Sequence, residues 1–245
     1  GFDVKSITEA QKTEFLSLLN PSGIEAYILN RLGQLQQSVS EAYKGFKFKT
    51  ANQLIYDFVN DDLSSFYCTA VKDRLYCDKK DAPRRIITQT TLLILTESLC
   101  QLLAPILPHT AEEAYKALHQ LESGHDLHLQ TIQPLSVTLS DQWDSVLDTR
   151  TNVLKALETS KENGLDNPLD AGIRLSQSSL SEFMDDLADI FGVSRVELVD
   201  SDNPIEVIDL REAPRCERSW RRDETVKERQ DGVFLSDRDA EAMGL

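Results

Sequence analysis

Apolar residues recur at helical spacing through the first half of the chain. Ile24, Ile28, Leu32, Leu35 and Val39 form one stripe, which predicts a helix running to about residue 43. Pro21 and a Ser22-Gly23-Ile24-Glu25 capping box would open it. Gly45 marks a break before Phe46 and Phe48. Leu54, Phe58, Val59, Leu63, Phe66, Tyr67, Ala70 and Val71 then predict the buried face of a long helix from about Thr50 to Cys77. Asp81-Ala82-Pro83 reads as the next start, with aspartate capping and proline in the first turn. Its core-facing set is Ile86, Ile87, Leu93, Ile94, Leu99, Leu102 and Leu103. Pro105 and Pro108 bracket a turn, and Thr110-Ala111-Glu112-Glu113 reads as a second capping box before Ala114, Tyr115 and Leu118.

Short connections favour antiparallel neighbours, so residues 1–122 are expected to form an antiparallel helical bundle after a short-helical or irregular lead-in. Residues 123–140 read as a linker with an extended piece at Leu127-His128-Leu129. From Asp141 the helical period returns through Trp143, Val146, Leu147, Val153, Leu154 and Leu157, until Gly164, Asn167 and Pro168 end it. The pattern then shortens. Gly172–Leu175, Arg195–Val199 and Ile205–Ile208 predict strands, and Ser179–Glu182 predicts the cap of a helix reaching Phe191. Residues 141–210 are therefore a small α/β module, followed by a tail over 211–245. The fold class is mainly α.

Charge divides along this frame. The whole chain carries a formal net charge of -15, which argues against indiscriminate binding to polyanions. Residues 141–210 hold sixteen acidic and five basic side chains, whereas 71–85 hold six basic and three acidic. Residues 211–222 hold five arginines and two glutamates. Such patterning can aim chosen surfaces at a polyanion; solvated helix surface is the plainer reading. Four cysteines without paired spacing suit reduced thiols in the cytoplasm. The sequence offers no signal peptide and no apolar run of membrane-spanning length, and no membrane partner is expected. A start at Gly1-Phe2-Asp3 without Met suggests a fragment, a processed product or a cloning scar.

The tail carries the most distinctive spacing. Cys216 and Ser219 stand at Cys-x-x-Cys positions before Trp220, and Ser236 and Asp239 stand at a second such pair. This is the outline of a zinc knuckle with three of four ligands replaced. One thiolate, two hydroxyls and a carboxylate make a poor tetrahedral zinc set, so no metal site is expected. Trp220 among arginines suits stacking on an unpaired base, or else it plugs the tail's small core. Arg74 suits either a phosphate or a partly buried carboxylate. His109, His119, His125 and His128 fall in no ligand pattern. Ser64 and Ser65 have no adjacent base, and Glu112-Glu113 and Asp185-Asp186 are splayed neighbours on helices. No catalytic residue is nominated.

Asp62-Leu63-Ser64-Ser65-Phe66-Tyr67, Lys72-Asp73-Arg74-Leu75-Tyr76 and Leu103-Ala104-Pro105-Ile106-Leu107-Pro108-His109-Thr110-Ala111-Glu112-Glu113 together resemble the anticodon-binding helical domain of the class I synthetases for isoleucine, valine and leucine. Asn167–Leu175 and the Cys216–Asp239 spacing resemble the carboxy-terminal region of bacterial-type isoleucyl-tRNA synthetases, with a degenerate zinc knuckle. The resemblance implies a tRNA-docking region of an ATP- and Mg-dependent isoleucine–tRNA ligase. Its catalytic and editing domains would lie upstream in the same polypeptide, and the chain alone would perform no reaction and hold no cofactor of its own. A cytoplasmic monomer is expected. The implied tRNA-binding residues are Lys47, Lys49, Lys72, Arg74, Lys79, Lys80, Arg84, Arg85, Arg218, Trp220, Arg221 and Arg222. A protein-interaction or scaffold module that keeps the fold without RNA recognition is the alternative.

Overall fold

The computed structural model describes residues 7–121, 127–176, 178–200 and 203–245. The start of the lead-in, Gly124 and His125 lie outside these residues. The fold is mainly helical with a small mixed sheet. It divides into two compact units, one of residues 1–68 with 86–139 and one of residues 69–85 with 140–245. One break, at 139/140, lies beside the expected start of the helix–sheet module. The other two, at 68/69 and 85/86, cut through the expected bundle.

In the first unit, α1 (Glu9–Leu18) opens with a capping box that pairs Thr8 and Gln11, a signal missed in the sequence. The α2 helix (Ile24–Lys44) buries the whole expected stripe, from Ile24 through Val39. Its N-cap is Gly23 rather than Ser22. Glu25 of the expected box is buried and accepts a hydrogen bond from the Thr88 hydroxyl at 2.8 Å. The next helix starts at Phe48 rather than Thr50. It runs as α3 (Phe48–Asp57), a π-helical stretch (Phe58–Cys68) and α4 (Thr69–Cys77), the last belonging to the second unit. The wider i→i+5 winding shifts the phase of the apolar face. Phe58, Phe66 and Tyr67 are buried as expected, but Val59 turns outward. Arg31 grips Asp62 on this stretch with two hydrogen bonds of 3.0 Å.

Helix α5 (Pro83–Leu103) starts at the expected proline. Among the described helices it is the one long and apolar enough to cross a membrane, contrary to the sequence reading. Its Leu93, Ile94, Leu95 and Leu102 are buried, as in the core helix of a folded domain. Helix α6 (Pro108–His119) begins at Pro108, so Thr110 lies inside it and is not a cap. Leu127–Leu129 forms a 3-10 turn instead of an extended piece, closed by the Glu112 carboxylate accepting Leu127 N–H at 3.0 Å.

The expected linker is pinned to α2. Gln36 Oε1 accepts Leu135 N–H at 2.9 Å, and Asn30 Nδ2 donates to Val137 O at 2.8 Å. A Cβ on Gly33 would collide with the Leu135 carbonyl oxygen, so the absence of a side chain there permits the close approach.

The second unit packs α7 (Trp143–Lys161) and α8 (Met184–Phe191) on a sheet ordered β2-β1-β3, with α4 against α8. The central strand β1 (Ala171–Leu175) pairs parallel with β2 (Arg195–Leu198) and antiparallel with β3 (Ile205–Asp209). Trp143 is buried edge-on against Phe183, with ring centroids 5.2 Å apart. The residues expected to cap α8 form a 3-10 turn, Ser178–Phe183, and the α-helix starts at Met184. The tail adds a two-stranded ribbon, β4 (Lys227–Glu228) with β5 (Phe234–Leu235), and α9 (Asp237–Met243). Cys216, Val226, Leu235 and Ala240 form its small core.

Replacing Gly33 with alanine should destabilise the first unit by about 1–3 kcal/mol, the usual cost of forcing atoms into a filled site. Thermal unfolding measures this. A melting temperature equal to that of the parent chain would show that the 130–139 segment is not held against α2.

Candidate nucleic-acid interface

The four knuckle positions converge on one atom. Asp239 Oδ2 accepts hydrogen bonds from Cys216 Sγ at 3.1 Å, Ser219 Oγ at 2.8 Å and Ser236 Oγ at 2.9 Å. Ser236 also caps α9, accepting from Asp239 N–H at 3.2 Å. The carboxylate is fully buried, with Arg238 at 3.3 Å from Oδ2 and Arg218 at 3.7 Å from Oδ1. Both serines act as donors here and therefore keep their protons. A structural zinc wants four thiolate or imidazole ligands, and these residues do not fit it. The carboxylate instead holds the two loop ends together.

Burial works to raise the Asp239 carboxyl. Hydrogen bonds from Cys216, Ser219 and Ser236 and the Arg238 charge outweigh it and hold the group below its ordinary range. Asp73 is likewise held low against burial, by Arg238 and Arg221. Cys77, nearby in the same unit, is pushed up to about 11 by burial and by the Asp73 and Asp239 charges. It stays a neutral thiol at pH 7, neither nucleophile nor ligand.

These groups belong to a longer run of ion pairs. Arg74, 1% exposed, bonds Asp189 at 2.7 Å and Asp186 as well. Arg221 joins Asp189 to Asp73, Arg238 joins Asp73 to Asp78, and Arg84 grips Asp78 with two bonds of 3.0 Å. Each carboxylate thus has a guanidinium partner. A buried charge needs that to offset desolvation.

The arrangement sorts the nominated residues. Lys47, Lys49, Lys72 and Lys80 are exposed and make no ion pair among the described residues. Lys79 is also exposed, with a loose 3.5 Å pair to Glu241. Arg84 and Arg85 are half-buried, and Arg85 donates to the Asp78 carbonyl at 2.7 Å. Arg74 is corrected: its guanidinium is spent on two buried aspartates and cannot face a phosphate. Arg221 and Arg222 are mostly buried and committed, the latter to Asp170 at 2.7 Å and to the Ala213 carbonyl. Arg218 donates to the Tyr76 carbonyl at 2.9 Å. The pairing of Arg238 with Asp73 was missed by the sequence reading, since nothing local signals a partner 165 residues away.

Trp220 is 55% exposed, so it is not the plug of the tail's core. It takes φ of 65°, a left-handed conformation costly for a bulky residue. Its backbone closes the loop, with Trp220 N–H on Cys216 O and Cys216 N–H on Arg221 O, both at 2.9 Å. The Arg215 guanidinium lies over the ring, 4.5 Å from its centroid.

Replacing Asp239 with asparagine should cost about 3 kcal/mol, because Arg238 loses a buried counter-charge. Folding lowers the Asp239 pKa, so its stabilisation is complete above the unfolded carboxyl value near 3.9 and fades as pH falls through the folded one. The variant's melting temperature should therefore fall less than the parent's between pH 5 and pH 3. Equal acid sensitivity would remove Asp239 as the central acceptor. Conversely, Ser219→Cys, Ser236→Cys and Asp239→Cys together should create a four-thiolate site binding one zinc per chain, measurable by elemental analysis. Failure of that triple variant to bind zinc would contradict a preserved knuckle geometry.

Residues 25–173 match the family model described as the anticodon-binding domain of tRNA ligase. Among similar proteins, the isoleucine–tRNA ligase of Staphylococcus aureus is 31% identical over 235 residues, 89% of this chain and 25% of that protein. The isoleucine–tRNA ligase of Carboxydothermus hydrogenoformans is 33% identical over 216 residues, 80% of this chain and 23% of its own. Isoleucine–tRNA ligase 1 of Oceanobacillus iheyensis is 31% identical over 242 residues, 91% and 26% of the two chains. The chain spans about a quarter of the length of these relatives. With more than half of its residues matched, the chain belongs to the anticodon-binding domain family of tRNA ligases.

Proposed function

We propose that this chain docks the anticodon stem and loop of isoleucine tRNA as the carboxy-terminal region of an isoleucine–tRNA ligase. ATP- and Mg-dependent aminoacylation, and editing, belong to upstream domains of the same polypeptide. In this reading the chain has no catalytic residue, and the enzyme works as a monomer in the cytoplasm. The observation that carries the reading is Trp220. An indole held outward at φ of 65° and backed by an arginine is a stacking surface for an unpaired base. It stands in a loop fastened by the Asp239 carboxylate, so the ring is ordered before a ligand arrives.

Phosphates would be met by the uncommitted lysines. Lys72, Lys79 and Lys80 are exposed within one unit, and Lys47 and Lys49 are exposed in the other. The buried arginines act structurally, holding the carboxylates that would otherwise repel RNA. The acidic residues of the helix–sheet module keep nonspecific nucleic acid away.

Trp220→Ala should weaken isoleucine tRNA binding by roughly 1–3 kcal/mol, while thermal unfolding of the free variant changes little, since the ring is outside the core. Loss of stability with intrinsic RNA affinity intact would return Trp220 to a packing role. Changing Lys72, Lys79 and Lys80 together to alanine should lower the salt slope of binding by roughly one for each phosphate no longer engaged. A chain that binds no tRNA at low salt would instead favour the scaffold reading.

A further inference from the structure

Among the described residues, Phe46, Gln120 and Trp220 are the non-glycine positions with positive φ, and two of these are exposed aromatics. Trp220 belongs to the surface already discussed. Phe46 does not, and it is the more exposed of the two, at 82%. It follows the last turn of α2, where glycine is the residue that normally accepts a left-handed conformation. Glycine is present but one position early: Gly45 takes φ of -88°, while Phe46 takes 56°. A Cβ on Gly45 would meet only ordinary contacts, the nearest at 3.5 Å. The turn therefore gives the conformational burden to phenylalanine, and its ring gains no burial in return.

What the strained backbone does achieve is presentation of the ring. Phe46 N–H bonds Tyr43 O at 3.0 Å and Lys47 N–H bonds Ala42 O at 2.8 Å, which closes the turn. Phe48 supports Phe46 in an edge arrangement, with centroids 6.4 Å apart, and Tyr43 supports Phe48 at 5.9 Å. Tyr43 is anchored in turn by its hydroxyl, which donates to Leu102 O at 2.6 Å. Around this aromatic step stand Lys44, Lys47 and Lys49, all exposed. No Asp or Glu occurs from Ala42 to Tyr56, although the chain holds 41 acidic residues.

We propose that the turn at residues 44–49 is a second stacking site for an unpaired RNA base, with Phe46 as the platform and Lys44, Lys47 and Lys49 as phosphate contacts. This rests on the RNA-docking reading and deepens it, adding an aromatic platform and Lys44 to the two lysines, Lys47 and Lys49, that the reading already assigns to phosphates. Charge selects the occupant: an exposed aromatic ringed by lysines in a chain of net charge -15 suits single-stranded polyanion, where stacking and phosphate contacts act together.

The test uses the 245-residue chain, isoleucine tRNA transcribed in vitro, and the variants Phe46→Gly and Lys44→Ala/Lys47→Ala/Lys49→Ala. Phe46→Gly should melt no lower than the parent, because it relieves the left-handed strain, yet bind tRNA roughly 5- to 100-fold more weakly. The lysine variant should lower the salt slope by roughly two to three. Unchanged affinity in Phe46→Gly, with the parent binding normally, overturns this inference and leaves the RNA-docking reading standing. A parent chain that binds no tRNA overturns both. Concentration-dependent self-association that Phe46→Gly abolishes, seen by sedimentation without any change in tRNA affinity, assigns the turn to a second copy and also overturns it.

Discussion

The helix–sheet unit and its tail depend on pairing buried carboxylates with arginines. Asp186, Asp189, Asp73, Asp78 and Asp239 come from α8, α4, the turn after it and α9, and each meets a guanidinium. Most of these carboxylates meet more than one arginine, Asp189 three of them, so the pairs form a shared network that offsets the cost of burying charge. The pairs are directional as well as strong, because a guanidinium fork meets a carboxylate in a narrow range of geometries. They therefore set how α4, α8, the knuckle loop and α9 meet within this unit. Within this unit, five aspartates are matched in this way.

Asp239 extends the same principle to the knuckle. Where a metal-bound version of such a loop would draw four ligands onto one cation, this loop draws three donors onto one anion. The centre of this loop is therefore a carboxylate. Trp220 benefits directly, since the bonds that close its loop are anchored on Cys216, itself a donor to Asp239. The side-chain hydrogen bonds that close this loop thus converge on one carboxylate.

Periodic packing was legible in the amino-acid order, and tertiary polar partners were not. The stripe from Ile24 to Val39 and the burial of Trp143 followed from spacing alone, because a helix repeats its face every few residues. Strands β1, β2 and β3 were found from β-branched content, though their mixed pairing was not. Cap positions were off by one or more residues, with Gly23 rather than Ser22 opening α2 and Pro108 rather than Thr110 near the start of α6, and the Leu127 turn depends on Glu112, fifteen residues away. Arg74 could have faced phosphate or carboxylate. What decided it was Asp186 and Asp189, more than a hundred residues further along. The aromatic turn at Phe46 went unnoticed because strain is a property of φ, and a Gly-Phe pair does not say which residue will carry it.

Hydrogen exchange in the presence of a chelator, with and without isoleucine tRNA, tests most directly that an anion-centred knuckle presents an RNA-binding loop. The free chain should protect the amides of Cys216, Trp220 and Asp239 against exchange although every adventitious metal is removed. Added tRNA should deepen protection across residues 216–221 and leave the acidic face at 182–189 unchanged. Rapid exchange throughout the knuckle in chelator, or tRNA protection confined to the acidic helix, would contradict the account.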